Sequence, residues 1–442
     1  MDAKIKKHLS SSQIIIFGFA GAIILGTILL MLPISSASGN MTPFSDALFT
    51  STSAVCVTGL VVHDTATHWS MFGQFIILLL IQVGGLGIVT LSVAMAMLAG
   101  RKISLMQRST LQDAISAPKV GGIVRLTGFI LKTTFLIELI GAFLLSTVFC
   151  KEFELKGVWL GIFHSVSAFC NAGFDLMGAK SPFSSLTSYS AQPLINAVIM
   201  LLIIIGGIGF LVWEDVKTNR HNIKKYRMQT KVVLSSTLFL IIAPAIYFYF
   251  AEFNGLPLNE RILNSMFQSV TPRTAGFNTA DLTQLTGTGQ IITIILMLIG
   301  GSPGSTAGGM KTTTTAVLIF SMISVFRKKD DVECFGRRIE DSTLKTASAI
   351  LLMYFILFLT GGLIISGVEK LPLMECLFET ASAIGTVGLT LGITPTLGTV
   401  SRIVLIGLMF FGRVGGLTLI FATLSKKQQN ISKKPQERIT VG

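Results

Sequence analysis

Four short stretches of the chain place a glycine just after a short apolar segment, a pattern that could present backbone carbonyl oxygens to a cation. The clearest is residues 383–389, which contain the tripeptide Thr386-Val387-Gly388. Backbone carbonyls in a Thr-Val-Gly loop can replace the water shell of a monovalent cation. Glycine suits such a loop because it adopts positive φ readily. The stretch therefore predicts a cation-binding loop, provided that other parts of the chain complete the ring.

The same arrangement recurs three times upstream. In three of the four copies a Phe lies ten residues before the glycine and a Ser lies six before it, whereas the third copy is one residue shorter. A fourfold internal repeat is a signal about the whole fold. The candidate filter residues are Val57, Thr58 and Gly59, then Asn171, Ala172 and Gly173, then Thr274, Ala275 and Gly276, and finally Thr386, Val387 and Gly388.

Composition indicates an integral membrane protein. Of the 442 residues, 51% are hydrophobic and only 13% are charged, about half the charge of an ordinary soluble domain. The net charge of +13 could suggest nucleic acid. Most Lys and Arg residues, however, lie in the two termini and in the segments 100–125, 214–231 and 327–345. This asymmetry predicts cytoplasmic termini and a multi-pass cell-membrane protein. Its basic face suits anionic membrane lipid or an acidic partner rather than nucleic acid.

The elements that position the glycine loops follow one order in each repeat: a spanning helix, a half-helix, the loop and a returning helix. We expect an all-α fold with eight transmembrane helices and four pore helices around a central pore. A half-helix and loop at membrane depth must be buried in protein or line water. The predicted repeats are residues 1–100, 101–216, 217–330 and 331–425, followed by a cytoplasmic tail at 426–442. The returning helices of the first two repeats are predicted as continuous, over 72–98 and 193–213.

A glycine-rich segment interrupts the returning helix of the third repeat. Glycine and proline disfavour a regular helix, and the apolar flanks keep the segment, within 300–313, at membrane depth. It is predicted to line the aqueous path as a gate; a tight helix crossing is the alternative. Milder glycine groups at 84–87, 206–209 and 415–416 are interpreted as close packing. The gate candidates in the segment are Gly300, Gly301, Ser302, Pro303, Gly304, Ser305, Thr306, Ala307, Gly308 and Gly309.

Two cations lie near the same depth. Arg413 is in the middle of an apolar helix, where a charge costs several kcal/mol unless it faces water or a partner. Lys311 follows the glycine-rich segment, and it could support that segment or reach the cytoplasmic interface. Catalytic groupings, phosphate loops and metal-ligand spacings are absent from the sequence. We therefore predict neither an enzyme nor a bound cofactor.

With these motifs the chain resembles the Trk/Ktr/HKT family of potassium transporters over nearly its whole length. Because no extra helices precede Gln13, it is most similar to the Ktr membrane subunit. The resemblance implies potassium uptake, one filter glycine per repeat, a gating intramembrane loop and a pore-facing Arg413. It also implies a homodimer and a cytoplasmic nucleotide-binding regulatory subunit, which forms an octameric ring, and it suggests a dependence on sodium. Gly59 favours potassium, since relatives with Ser at this position tend to be sodium-selective.

Two other functions stay open at this point. A sodium-conducting homologue would use the same repeats, and sequence does not exclude it. A carrier with alternating access could use the broken helix as its binding site, although many carriers use inverted rather than same-direction repeats. Conductance far above carrier turnover would distinguish a pore from a carrier.

Overall fold

The protein, described here from a computed structural model, is almost entirely α-helical. The structure describes residues 10–99, 103–115, 122–416, 418 and 437. In the first quarter of the chain the helices are α1 (Ser11–Met31), α2 (Phe44–Val55), α3 (Thr65–His68), α4 (Met71–Leu86) and α5 (Ile88–Leu98). In the second quarter they are α6 (Leu105–Ala114), α7 (Ile123–Phe153), α8 (Lys156–Phe169), α9 (Pro193–Ile208) and α10 (Phe210–Asn219).

The second half of the chain repeats this order. Its first group comprises α11 (Met228–Tyr247), which continues as a π-helical turn (Phe248–Glu252), then α12 (Leu258–Val270), α13 (Gly287–Leu298) and α14 (Thr312–Phe326). A two-residue hairpin of β1 (Glu333–Cys334) and β2 (Arg337–Arg338) precedes α15 (Asp341–Glu369), α16 (Leu373–Gly385) and α17 (Thr399–Val414). Single 3₁₀ turns lie at Pro33–Ser35, Met177–Ala179, Thr187–Tyr189, Ile223–Lys225, Leu282–Gln284 and Thr394–Thr396.

Among the described residues, four helices are long and apolar enough to cross a membrane without a break: α1, α7, α11 with its π-helical turn, and α15. They contain 21, 31, 25 and 29 residues, against about 20 needed for a span. The start of α1 is fixed by a capping box between Ser10 and Gln13, which satisfies free backbone donors of the first turn. Each long helix packs against the half-helix that follows it, namely α2, α8, α12 or α16. The half-helices are too short to span and are buried on most sides.

The returning helices are broken, so the prediction of continuous helices over 72–98 and 193–213 was wrong. The chain bends by 96° between α4 and α5 and by 92° between α9 and α10. The bends fall at Gly87 and Gly209, whose φ angles are 83° and 106°. The chain after α17 has the same feature at Gly415, with φ of 86°. Residues with a Cβ rarely adopt these angles, so single glycines end these helices inside apolar runs.

The glycines just before these breaks allow close packing, as their sequence pattern indicated. A Cβ added at Gly84 would lie 2.1 Å from the carbonyl oxygen of Val55, at the end of α2. At Gly206 it would lie 2.0 Å from the carbonyl oxygen of Phe169, at the end of α8. Gly412, near the end of α17, approaches the fourth half-helix in the same way. The glycines of the returning helices therefore lie in contact with backbone carbonyls at the ends of the half-helices. This contact positions the loops that follow the half-helices.

Candidate functional site

The four glycine loops share one backbone conformation. In each loop the residue two positions before the glycine has positive φ, and so does the glycine itself. The first angles are 57°, 58°, 69° and 52° at Val57, Asn171, Thr274 and Thr386. Non-glycine residues rarely adopt such angles, β-branched ones least of all, and the cost is tolerated only where surrounding contacts impose the conformation. Its fourfold recurrence, including in the loop that is one residue shorter, indicates four copies of one structure.

The four glycines meet in a closed ring, which we call the glycine ring: Gly59, Gly173, Gly276 and Gly388. A Cβ added to Gly59 would lie 2.4 Å from the carbonyl oxygen of Ala172, in the second loop. Each of the other three glycines would meet the carbonyl before the next glycine at 2.7, 2.2 and 2.2 Å, and the fourth meets Thr58 of the first loop. Only glycine fits these positions. The structure thus brings together all twelve predicted filter residues, and every one of them is buried.

Hydroxyl groups on the half-helices hold the loops from behind. The backbone N–H of Gly59 donates to Ser53 Oγ at 3.1 Å, and that of Gly388 donates to Ser382 Oγ at 3.0 Å. In the second loop Ser167 Oγ donates to the carbonyl of Phe174 at 2.7 Å. Thr271 takes the equivalent place in the shorter third loop. The serine that recurs six residues before the glycine was the sequence signal for this support.

Two further polar residues, one on α8 and one on α16, bond the segments that follow the loops, and the sequence analysis gave neither of them this role. His164 of α8 accepts a hydrogen bond from the backbone N–H of Leu176 through Nε2 at 3.3 Å, while its Nδ1 lies 2.7 Å from the carbonyl of Leu160. Glu379 of α16 accepts from the hydroxyls of two threonines that follow the fourth loop, Thr390 and Thr394. His164 and Glu379 both lie nine residues before a ring glycine, a regularity that could have been read from the repeat.

Arg273 is a buried cation beside the third loop. Its Nη2 donates to Thr237 Oγ1 on α11 at 3.2 Å, and its Nε has no hydrogen-bond partner among the described residues. The backbone carbonyl of Arg273 accepts from the side-chain amide of Asn171 at 3.3 Å. The same amide donates to Thr274 Oγ1 at 3.2 Å, which joins the second loop to the third. Among the described residues, no group of three or more His, Cys, Asp or Glu side chains is placed to hold a metal ion.

The glycine-rich segment forms a non-helical loop between α13 and α14, which we call the intramembrane loop. Its backbone is bonded to the break in the second returning helix: Ser302 N–H donates to the Gly207 carbonyl at 3.0 Å, and Phe210 N–H donates to the Gly304 carbonyl at 2.7 Å. The loop also touches the fourth glycine loop, because a Cβ at Gly308 would lie 2.1 Å from Thr386 Oγ1. The predicted gate segment therefore contacts a helix break through Ser302 and Gly304 and a glycine loop through Gly308.

The two predicted cations both bond this loop. Lys311 Nζ donates to the carbonyls of Ala307 and Gly308 at 2.8 and 3.2 Å, so of its two possible positions it takes the one that supports the loop. Arg413 donates to the carbonyl of Thr306, and on its other side to the carbonyls of Gly84 and Gly85. No carboxylate pairs with either cation within the described residues. Arg413 therefore links the intramembrane loop to the break in the first returning helix.

A cavity of ≈ 290 Å³ adjoins this contact. It is lined by residues of the intramembrane loop, of the first and fourth helix breaks and of the end of α6, among them Gly304, Lys311, Arg413, Asp113 and Ile115. A ring of backbone carbonyls next to a polar, non-helical loop suits the passage of a monovalent cation. Re-entrant half-helices, broken spans and a buried loop at this depth define a multi-pass membrane transport protein.

The chain belongs to the TrkH family of cation transport proteins, which matches residues 6–434. It is 42% identical to the potassium/sodium uptake protein NtpJ of Enterococcus hirae, covering 100% of this chain and 99% of that protein. It is 39% identical to the Ktr system potassium uptake protein B of Bacillus subtilis, covering 95% and 94%. The crystal structure of the potassium transporter TrkH from Vibrio parahaemolyticus covers 96% of this chain and 87% of its own, with a TM-score of 0.72 and 18% identity.

These matches confirm the resemblance to the Trk/Ktr group and the all-α fold of pore-loop repeats. They also make cation transport, rather than catalysis, the general activity of the family. The bounds of the individual repeats, the filter and gate roles and the tail at 426–442 stay predictions; apart from residue 437, the tail lies outside the described residues.

Proposed function

We propose that this chain takes up potassium across the cell membrane through a central pore whose narrowest part is the glycine ring. The observation that carries the proposal is the closure of that ring, in which each glycine touches the carbonyl before the next. A ring of backbone carbonyls can replace the hydration shell of a monovalent cation. Each half-helix ends at its loop, and the negative end of a helix dipole favours a cation there.

Sodium is the competing ion. The Enterococcus hirae relative is named for uptake of both potassium and sodium, whereas the two Ktr relatives from Bacillus subtilis and Vibrio alginolyticus are named for potassium. Potassium is favoured here by Gly59, which completes the ring with four glycines. A sodium-conducting protein with the same fold and a carrier with alternating access are the alternatives, and sodium could also act as a coupled ion.

Uptake of potassium or of radioactive rubidium in cells that lack their own potassium transport tests this function. We expect the chain to restore growth on low potassium, with uptake that excess sodium inhibits only weakly. Complete competition by equimolar sodium would favour the sodium-conducting alternative. In proteoliposomes, single-channel currents would support a pore, whereas saturable flux at carrier rates without resolved currents would contradict it.

We further propose that the intramembrane loop and Arg413 form the gate of this pore. The loop touches the fourth filter loop through Gly308 and is bonded to helix breaks from two other repeats. Arg413 adds a fixed positive charge beside the path, which repels a cation electrostatically. Displacing the loop requires breaking the hydrogen bonds of Arg413 and Lys311, so the gate has a defined closed position.

Regulation by a separate protein is the third part of the proposal. With both termini and the basic segments 100–125, 214–231 and 327–345 in the cytoplasm, a homodimer would offer a basic surface to a nucleotide-binding subunit arranged as an octameric ring. Several relatives are named as components of a Ktr system. We expect purified chain alone in liposomes to transport without response to nucleotides, and addition of the ring to confer that response. Full nucleotide regulation of the chain alone would contradict this, and light scattering in detergent would count its copies.

A further inference from the structure

A second cavity lies away from the glycine ring, between α5, α6, α7 and α10. Its volume is ≈ 1230 Å³. Four basic side chains line it: Arg108 of α6, Arg125 and Lys132 of α7, and Lys217 of α10. We call this cavity the basic pocket. Its α6 wall lies beside the start of α1, since Thr110 Oγ1 is 3.4 Å from Ser11 Oγ. The pocket therefore lies at the same side of the membrane as the N-terminal end of α1.

The charges of the basic pocket are not balanced by protein groups. Among the described residues no Asp or Glu lines the cavity, and the ion pairs of those residues include none of the four cations. Arg108 Nε is buried without a hydrogen-bond partner among those residues. Lys217 Nζ instead lies 4.3 Å from the centre of the Phe129 ring. Four cations that line one cavity suit an anion with several acceptor oxygens.

Apolar side chains alternate with basic ones along the α7 wall of the pocket. Along α7, Arg125, Phe129, Lys132 and Leu136 are spaced by four, three and four residues, so they share one face of the helix. Leu136, at the deeper end, is 57% exposed, and the adjacent Phe135 is 54% exposed. On a helix that crosses the membrane, such side chains face acyl chains. The cationic end and the apolar end of the pocket therefore belong to one continuous surface.

We infer that the basic pocket binds the headgroup of an anionic phospholipid, whose acyl chains run along α7. Phosphate oxygens would accept hydrogen bonds from Arg108 and Arg125. Lys132, an exposed residue within an apolar stretch of α7, would extend its long side chain toward the same headgroup. Basic pockets between membrane helices are a known way to recognise such lipids. Free phosphate would satisfy the cations but would leave the exposed apolar wall of α7 without a partner.

Lipid binding to the full-length protein in nanodiscs and in native mass spectra tests this inference. The probes are phosphatidylglycerol, neutral phosphatidylcholine and inorganic phosphate. The pocket variant combines Arg108→Gln, Arg125→Gln, Lys132→Gln and Lys217→Gln. The matched control removes the same charge from exposed positions elsewhere with Lys224→Gln, Lys225→Gln, Arg327→Gln and Arg337→Gln. We expect phosphatidylglycerol to bind the wild type and the control alike, and the pocket variant at least about tenfold more weakly, given the contribution of each cation near anionic lipid.

Three outcomes would overturn the inference. Equal loss in the pocket variant and the control would indicate diffuse surface charge. Equal binding of phosphatidylcholine would show that the headgroup charge is not recognised. Displacement of phosphatidylglycerol by millimolar phosphate would identify a free anion as the ligand. If the fourfold variant does not fold, as judged by its thermal midpoint, the double variant Arg125→Gln with Lys132→Gln replaces it, with an expected loss of at least about threefold.

Discussion

Replacing Gly59 with Ser should lower the preference of the transporter for potassium over sodium about tenfold. The added Cβ would lie 2.4 Å from the carbonyl oxygen of Ala172 at a φ of 92°, so the carbonyl must move or the first loop must deform. Overpacking of this kind costs about 1–3 kcal/mol, and a tenfold change in preference corresponds to about 1.4 kcal/mol. Competition of sodium with potassium uptake, at matched expression, measures the effect.

Gly39→Ser is the matched control for this substitution. Gly39 also has positive φ, at 72°, but a Cβ there would meet nothing within 4 Å. It therefore carries the backbone strain without the contact to a neighbouring loop. Unchanged ion competition in Gly59→Ser would remove this residue from the filter. An equal change in Gly39→Ser would assign the effect to backbone strain alone.

Replacing Arg413 with Ala should raise potassium flux through the isolated chain about fivefold or more, which is the lower end of typical coupling between a controlling contact and its site. The substitution removes a positive charge beside the path and frees the carbonyls of Thr306, Gly84 and Gly85. Deletion of residues 302–307 should act in the same direction, because it removes the loop that Arg413 holds. Selectivity should remain nearly unchanged in both, since the glycine ring keeps its contacts. Uptake into liposomes without the regulatory partner measures the flux.

Two other arginine variants show what the contact contributes. Arg413→Lys keeps the positive charge, but a single ammonium cannot bond the carbonyl of Thr306 and those of Gly84 and Gly85 at the same time. This variant therefore separates the effect of the charge from the effect of the hydrogen bonds between the intramembrane loop and the first helix break. Arg402→Ala removes a cation from the opposite end of the same helix, where Arg402 pairs with Asp46 at 2.7 Å, and should leave flux at the wild-type level. Folded Arg413→Ala and deletion variants that transport no faster than wild type would make the loop a packing feature.

The family and the pore-loop fold could be predicted from the sequence because both depend on a repeated local pattern. The Phe, Ser and Gly positions recur at fixed spacing, and hydrogen bonds such as that from Gly388 N–H to Ser382 Oγ lie within one repeat. Arg413 stood out because a charge is rare in an apolar helix. The segment 300–309 stood out because several glycines around a proline disfavour a regular helix. These features need no knowledge of how one repeat lies against another.

The remainder of the site depends on contacts between repeats, which a single sequence does not specify. Gly87 and Gly209 belong to glycine groups in apolar runs. Such groups look like packing residues, so the sequence does not show that the chain bends there. The bond from Asn171 to Thr274 joins loops from different repeats. Lys311 had two possible positions until the carbonyls of Ala307 and Gly308 were placed within reach of its amine.

The closed glycine ring also constrains how the protein is made. The last glycine of the ring, Gly388, touches the first loop at Thr58. The first loop to be synthesised can therefore complete its contacts only after the fourth loop has been synthesised. Until the fourth repeat has been inserted, the first three loops have an open side in the membrane and no partner for the carbonyl of Thr58. Contacts between such distant parts of a chain form slowly. A truncated chain should consequently be recognised and degraded by membrane quality control, rather than persist in the cell as an unregulated leak.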